Sequence, residues 1–170
     1  MLALALRNGY GKNEQTVLIS DCASWIRNMK ELFFCDAQQI LDYFHLCENI
    51  SKYVKSVFEP DSIELKDWIK TVTELFKESK TKTAIQMIKK LNFNGKRPSG
   101  SFNLLGYIEN NSHNIDYPFY RQKGWLIGSG YIESGNKSVL QQRLKKQGMR
   151  WTTQNGQFIL TLMSKAKSLL

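Results

Sequence analysis

The first part of the chain alternates short apolar runs with one helical stripe. Residues 16–20 form a β-branched run that ends at Asp21 and predicts a buried strand. Apolar residues then recur at helical spacing over residues 23–34, and residues 37–41 predict a second short strand. A strand, a helix and a strand of these lengths indicate a βαβ unit, whose strands normally run parallel.

The pattern is helical from residue 43 to residue 112. Pro60 interrupts it, and Asp61 or Ser62 is placed to cap the helix that follows; Asn94-Gly95 and Pro98-Ser99-Gly100 predict a loop. The apolar stripes of the four predicted helices are Leu46, Ile50, Tyr53, Val54 and Val57; then Ile63, Trp68, Ile69, Val72, Leu75 and Phe76; then Ala84, Ile85, Ile88 and Leu91; and finally Leu104, Leu105 and Ile108.

Residues 115–125 predict an extended stretch, and the glycine-rich segment 128–130 predicts a turn into a helix. That helix is expected to run to about Gln147 and to stop at Gly148. Thr152 or Thr153 can cap a last helix that reaches Leu170. The predicted fold class is therefore α/β but mostly helical, a few short strands interrupted by an all-helical insertion. Its three segments are 1–45, 46–115 and 116–170, and they are not independent domains.

Composition narrows the class of protein. The chain has 170 residues, 42% of them hydrophobic and 12% aromatic, which fits a globular fold with a real core. No apolar run approaches the roughly 20 residues of a membrane span, and the short apolar start makes a poor signal peptide. The three cysteines have no paired spacing, which favours reduced cytosolic thiols over a zinc site.

The net charge of +9 is concentrated near the end of the sequence. From Arg121 onward nine Lys and Arg residues face one acid, Glu133, which gives +8; before Arg121, fifteen basic residues face fourteen acids. A cationic tail after a nearly neutral body fits a polyanion such as nucleic acid. The alternative is a solvated basic face that aids solubility.

Two carboxylates stand out by position. Asp21 follows a predicted buried strand, where open α/β folds place their sites, but Asp is also a favoured helix N-cap. Glu133 falls at the third helical position if Gly130 is the N-cap, where the helix dipole favours acids. Its isolation in a basic field also suits a metal that bridges protein and phosphate.

Asp42 and His45 form a D-x-x-H pattern directly after the second predicted strand. His45 can serve as a general base or metal ligand, or it can be a packed residue with one satisfied hydrogen bond. No phosphate-cradling loop, nucleophile elbow or H-E-x-x-H zinc motif occurs in the sequence.

Three segments of the chain contain the residues singled out above: ISDCASWIRNM contains Asp21, AQQILDYFHLCENI contains Asp42 and His45, and the segment from Tyr117 to Trp151 contains Glu133. Together they resemble one family of bacterial insertion-sequence transposases with a DDE catalytic triad, the ISKra4 and ISLre2 types. ISDCASWIRNM is similar to the family's DGA-x-WI segment, and AQQILDYFHLCENI to its D-x-x-H segment. The longest match, YPFYRQKGWLIGSGYIESGNKSVLQQRLKKQGMRW, contains the IGSG-x-x-E and GMRW pieces. The resemblance covers nearly the whole chain in the same order.

The resemblance implies an RNase H-like core in which Asp21 is the second acid of the triad and Glu133 the third. Asp42 and His45 would support the site without doing the chemistry. Mg²⁺ or Mn²⁺ is the implied cofactor, with two ions expected only in a complete site. DNA is the implied partner, at transposon ends and target, and the implied setting is the bacterial cytoplasm at the nucleoid, with no membrane.

Two departures from the family are mild: Cys22 stands where Gly is usual and Leu126 where Pro is usual. The serious departure is the first acid, since none of the twenty residues before Asp21 is an Asp. The expectation is therefore a truncated reading frame, a remnant or one piece of a split gene, inactive or nearly so alone. An upstream transposase fragment or a second copy would be a further partner.

The basic helix can contact DNA without any chemistry. Trp151 can stack on an unpaired base, or it can be a core aromatic that closes the helix end. A non-catalytic nucleic-acid-binding module and a misfolding-prone remnant stay open as alternatives. The expected DNA-contacting residues are Lys137, Arg143, Lys145, Lys146, Arg150 and Trp151.

Overall fold

The computed structural model describes residues 2–12, 15–55, 63–91 and 102–168. The chain divides into two compact units, Met1–Gly128 and Ser129–Leu170. The described part is mostly helical and contains one two-stranded parallel sheet. The mixed, mainly helical class expected from the sequence is thus confirmed at this level, and the three-segment division of the chain stays a prediction.

The sheet lies near the start of the first unit. Strand β1 is Val17–Ser20 and strand β2 is Gln38–Leu41, with Val17 opposite Gln38 and Ser20 opposite Leu41. Helix α1 (Leu2–Arg7) precedes the sheet, and helix α2 (Ser24–Phe33) connects its strands. Both strands and their parallel pairing agree with the sequence pattern to within one residue.

The described part of the first unit contains five further helices, α3 (Tyr43–Lys55), α4 (Ile63–Lys77), α5 (Thr81–Leu91), α6 (Leu104–Asn110) and α7 (Tyr117–Gln122), and a 3₁₀ turn at Ser112–Asn114. Helix α4 packs on α3, α5 and α7, and α6 packs on α3 and α5. The predicted caps Asp61 and Ser62, the break at Pro60 and the loop at 94–100 lie outside the described residues.

One apolar core joins the sheet to these helices. Its largest fully buried side chains come from β2, from α3 to α6 and from the segment before and within α7: Ile40, Leu41, Leu46, Ile50, Val54, Val72, Phe76, Ile88, Leu104, Ile108, Ile115 and Tyr117. Burying each such side chain contributes roughly 1.5–3 kcal/mol before entropy is counted. The predicted helical stripes supply most of this core.

The first residue of the predicted α4 stripe does not lie in the core. Ile63 was expected in the core, but it is the first residue of α4 and is 78% exposed. Leu65, two residues later, is buried instead, because it lies on the side of α4 that meets the core. Val57 lies outside the described residues.

The extended stretch predicted for residues 115–125 is wrong, because α7 is a helix. Asp116 caps it: its Oδ1 accepts a hydrogen bond from the Phe119 N–H at 3.3 Å. Pro118 lies in the first turn, where its missing N–H leaves no helical hydrogen bond unmade. An Asp two residues before a Pro is thus a helix start in this chain.

The second unit consists of helices with one irregularity. Helix α8 (Gly130–Gly135) continues as a π-helical stretch (Asn136–Gln141) into the short α9 (Gln142–Leu144). The predicted helix to Gln147 therefore ends three residues early, ahead of Gly148 at φ +81°.

The last helix, α10 (Thr153–Ser168), begins as expected. Thr152 Oγ1 accepts the Asn155 N–H at 3.2 Å, which confirms the predicted cap. The predicted end at Leu170 lies outside the described residues.

Among the described residues, no helix combines the length and apolar character that crossing a membrane requires. Cys22, Cys35 and Cys47 are free thiols, buried, exposed and half-buried respectively.

Candidate functional site

The carboxyl ends of the two parallel strands bring Asp21 and Asp42 to one edge of the sheet. Asp21 directly follows β1 and Asp42 directly follows β2. The strands stay paired to their last residues, since the Asp42 N–H donates to the Ser20 carbonyl at 2.8 Å. This edge is where open parallel sheets place ligands.

Asp21 is exposed and shapes the turn into α2. Its Oδ1 accepts the Ala23 N–H at 3.0 Å, and Ala23, which precedes Ser24, makes no side-chain cap. Ala23 therefore occupies the N-cap position of α2, and the alternative that Asp21 is the N-cap is wrong. The carboxylate organises a turn two residues ahead of the helix and stays accessible to solvent.

Cys22 lies between the strand and that turn with φ at +56°, in the left-handed region that favours glycine. Its side chain is 3% exposed, and its Sγ accepts a weak hydrogen bond from Asn114 Nδ2 at 3.7 Å. Burial raises the pKa of the Cys22 thiol. Cys22 adopts this strained backbone conformation at the point where the chain leaves β1.

Asp42 is buried and caps α3. Its Oδ1 accepts the N–H groups of Phe44 at 2.8 Å and His45 at 3.4 Å. His45 is half-buried in the first turn of α3. The D-x-x-H pattern thus fixes the start of α3 through its Asp.

The start of the glycine-rich segment, residues 127–128, lies beside Asp42 and the first turn of α3. The Tyr43 N–H donates to the Ile127 carbonyl at 2.9 Å. A Cβ on Gly128 would lie 2.6 Å from the Phe44 ring and 3.4 Å from Asp42 Oδ1, so only glycine fits without displacement. Residues 127–128 therefore pack directly against the start of α3.

Tyr107 is a neighbour of this edge that the sequence pattern did not single out. Burial raises its pKa to about 12, and the charges of Cys22, Asp21 and Asp42 add to the rise. Asn49 lies near enough to oppose that rise, yet no atom of the described residues makes a hydrogen bond with the buried Tyr107 hydroxyl. The hydroxyl stays protonated at neutral pH and can still donate a hydrogen bond.

Glu133 lies in the second unit, exposed in the first turn of α8. Its N–H donates to the Ser129 carbonyl at 2.9 Å, and Ser129 Oγ donates to Glu133 Oε1 at 3.0 Å. Gly130, the predicted N-cap, is the first helical residue, and Ser129 takes the capping position. The first-turn role expected of this acid is thus observed.

Four of the expected DNA-contacting cations are solvent-exposed. Lys137, Lys145, Lys146 and Arg150 are exposed, and within the described residues none of them forms an ion pair. Trp151 is 41% exposed, so it is not a fully packed core aromatic. Arg143 lies in α9. The unit presents unneutralised positive charge with one aromatic ring beside it.

The predicted site residues thus fall into two sets. Asp21, Asp42 and His45 belong to the first unit, and Glu133 with the basic residues belongs to the second. Their carboxylate oxygens are hard ligands of the kind Mg²⁺ prefers. In the part of the chain that the structure describes, no three His, Cys, Asp or Glu residues are grouped to hold a metal ion.

The chain matches no protein-family model, no curated protein and no solved structure.

Proposed function

We propose that the chain belongs to the metal-dependent proteins that process DNA. Within that class, we propose the C-terminal part of the RNase H-like catalytic domain of a DDE transposase of the bacterial insertion-sequence type. Two independent features support this: the packing of the sequence segments that resemble the family, and the backbone at Cys22.

The packing of those segments is the observation that carries the proposal. The D-C-A segment follows β1, the D-x-x-H segment follows β2, and Ile127-Gly128 packs on the start of α3. Segments separated by about twenty and about eighty residues in the sequence thus meet at one edge of the sheet. A shared site is the simplest reason for three such segments to converge where parallel sheets bind ligands.

The backbone at Cys22 gives separate support. The family pattern has Gly at this position, and here the residue has φ +56°. A residue with a Cβ pays roughly 1–2 kcal/mol in that conformation, which Gly avoids. The turn after β1 therefore has the left-handed backbone conformation that favours the glycine of the family pattern.

In this proposal Asp21 and Glu133 are the carboxylates that would hold Mg²⁺. When bound, a pair of such ions supplies Lewis-acid stabilisation of a phosphodiester and an activated hydroxyl. Asp42 acts through structure, because it caps α3 and sets the surface on which Gly128 packs. Residues 1–170 match the second and third acids of the triad, and we expect these two acids by themselves to hold metal at bound DNA without strand cleavage.

The second unit contributes DNA-backbone contacts. Each Lys or Arg that neutralises a phosphate of duplex DNA steepens the salt dependence of binding by about 0.9 in log–log slope. Replacing Lys145 and Lys146 by Gln is therefore expected to flatten the slope by about 2. The control exchanges two exposed lysines of α5, Lys82 and Lys90, and should leave the slope unchanged.

The metal role is tested by calorimetric titration of Mn²⁺ into the protein–DNA complex. Asp21→Asn and Glu133→Gln should each weaken Mn²⁺ binding at least tenfold, while exposed Asp67→Asn on α4 should not. A nicking assay with Mn²⁺ should show no turnover. Turnover that Glu133→Gln abolishes would contradict the inactivity of this chain.

The alternative function is a nucleic-acid-binding module without catalysis. The Ser129–Glu133 hydrogen bond favours it, because that contact gives Glu133 a purely local role. Under this alternative the lysine exchanges still flatten the salt slope, but DNA affinity is the same in Mn²⁺ and in EDTA. The two outcomes separate the proposals cleanly.

A further inference from the structure

A cavity of about 350 Å³ opens in the first unit between α2, the start of β2 and the 3₁₀ turn. Its size is within the roughly 300–1,000 Å³ range of small-ligand sites. None of the residues discussed above as metal or DNA contacts lines it, so the proposed function leaves it unassigned.

The lining carries more positive than negative charge. Arg27 and Lys30 from α2 face the cavity with a single acid, Glu31, and His113 adds an imidazole from the 3₁₀ turn. No ion pair joins Glu31 to either cation within the described residues. An anion is the ligand that this charge pattern favours.

The Arg27 guanidinium is the cavity-lining cation with the most hydrogen-bond donors available. Its side chain is half-buried, and in the described part of the chain its guanidinium makes neither a hydrogen bond nor an ion pair. A guanidinium that lines a cavity and has no partner is available to bind a ligand there. Its planar fork of donors matches two oxygens of a phosphate.

The other polar groups of the lining are held in place. Lys30 Nζ donates to the Cys35 carbonyl at 3.1 Å, which leaves two of its three donors for a ligand. The buried amides of Gln39 and Asn114 donate to Ser20 Oγ and Cys22 Sγ. Each of these two amides thus has a partner in the protein, while Arg27 and Lys30 retain donors for a ligand.

We propose that this cavity binds a phosphate group, with Arg27 as the principal contact and Lys30 and His113 beside it. The phosphate belongs either to a free anion or nucleotide or to a nucleic-acid strand. The inference does not rest on the transposase proposal, since it uses none of the same residues.

Calorimetry on the full chain tests it with three probes: inorganic phosphate, a mononucleotide and a short single-stranded oligonucleotide. At least one should bind, and Arg27→Gln should weaken that binding tenfold or more. Arg27→Lys keeps the charge but loses the fork, and should lie between. Arg121→Gln, which removes one exposed charge from α7 outside the cavity, should change affinity less than twofold.

The probe that binds identifies the source. Equal binding of phosphate and mononucleotide assigns a free anion, whereas binding of the oligonucleotide alone assigns a nucleic-acid strand. Circular dichroism checks that each variant is folded, and Lys30→Gln supplies a second cavity variant should Arg27→Gln fail that check. Absence of binding by all three probes, or equal losses in Arg27→Gln and Arg121→Gln, would overturn the proposal.

Discussion

The substitution Gly128→Ala probes the packing on which the proposed function depends. The added methyl would lie 2.6 and 2.7 Å from two carbons of the Phe44 ring and 3.4 Å from Asp42 Oδ1. Gly128 does not adopt a positive φ, so the backbone itself tolerates Ala and the effect comes from the contact.

The magnitude follows from two opposing terms. Overpacking costs about 1–3 kcal/mol, and Phe44, 52% exposed, can give way only by weakening its edge contact with Tyr43 at 5.9 Å. Ala also restricts the unfolded chain more than Gly does, and this raises the free energy of unfolding by about 0.4–1 kcal/mol. The expected net loss of unfolding free energy is about 1 kcal/mol, the difference of those ranges.

A double-mutant cycle in urea, followed by far-UV circular dichroism, isolates this contact. In a Phe44→Ala background Gly128→Ala should cost nothing, giving a coupling of about 1–2 kcal/mol. Gly135→Ala is the matched control, because its Cβ would meet nothing within 4 Å, and it should gain about 0.5–1 kcal/mol. A cost at residue 128 that persists without the Phe44 ring would refute the reasoning.

Three further predictions concern the surroundings of this edge. Cys22→Gly should be more stable than Cys22→Ala by about 1 kcal/mol in urea unfolding, because both lose the thiol and only Ala keeps the strained Cβ; the usual order, Ala above Gly, would contradict the positive φ. Tyr117→Phe should lower the free energy of unfolding by about 1–2 kcal/mol, because it removes the buried hydrogen bond to strand β2. Tyr107→Phe should leave the free energy of unfolding unchanged, because the Tyr107 hydroxyl has no partner among the described residues. Equal losses in the two variants would contradict this prediction. In a timed thiol-reagent assay the native chain should label at exposed Cys35 first, since burial raises the pKa of the Cys22 and Cys47 thiols and depletes their reactive thiolate; simultaneous labelling would speak against it.

The sheet and most helices could be predicted because their apolar spacing is a local signal. Residues 16–20 and 37–41 are short β-branched or apolar runs beside a helical stripe, and both became strands. Helix α7 was not predicted: the extended stretch expected for residues 115–125 left out that Asp116 makes a good cap and that Pro118 fits the first turn of a helix. The cap and the proline have to be interpreted together.

The candidate sites depend on contacts that no local pattern contains. That Asp42 would cap α3 and also lie near Gly128 follows only from the fold, because the two residues are far apart in the sequence. The cavity around Arg27 is built from three separated segments, so its charge balance appears only in three dimensions. Tyr107 carries no sequence signal beyond an aromatic residue on an amphipathic helix.

The transposase proposal requires Asp21 and Glu133 to serve one metal site, and anomalous diffraction from crystals soaked in Mn²⁺ measures this directly. The proposal predicts an anomalous peak with oxygens of both carboxylates at roughly 2.1 Å, the distance typical of a hard divalent ion. A well-diffracting crystal in which Mn²⁺ is absent, or binds only one of the two acids, would contradict it.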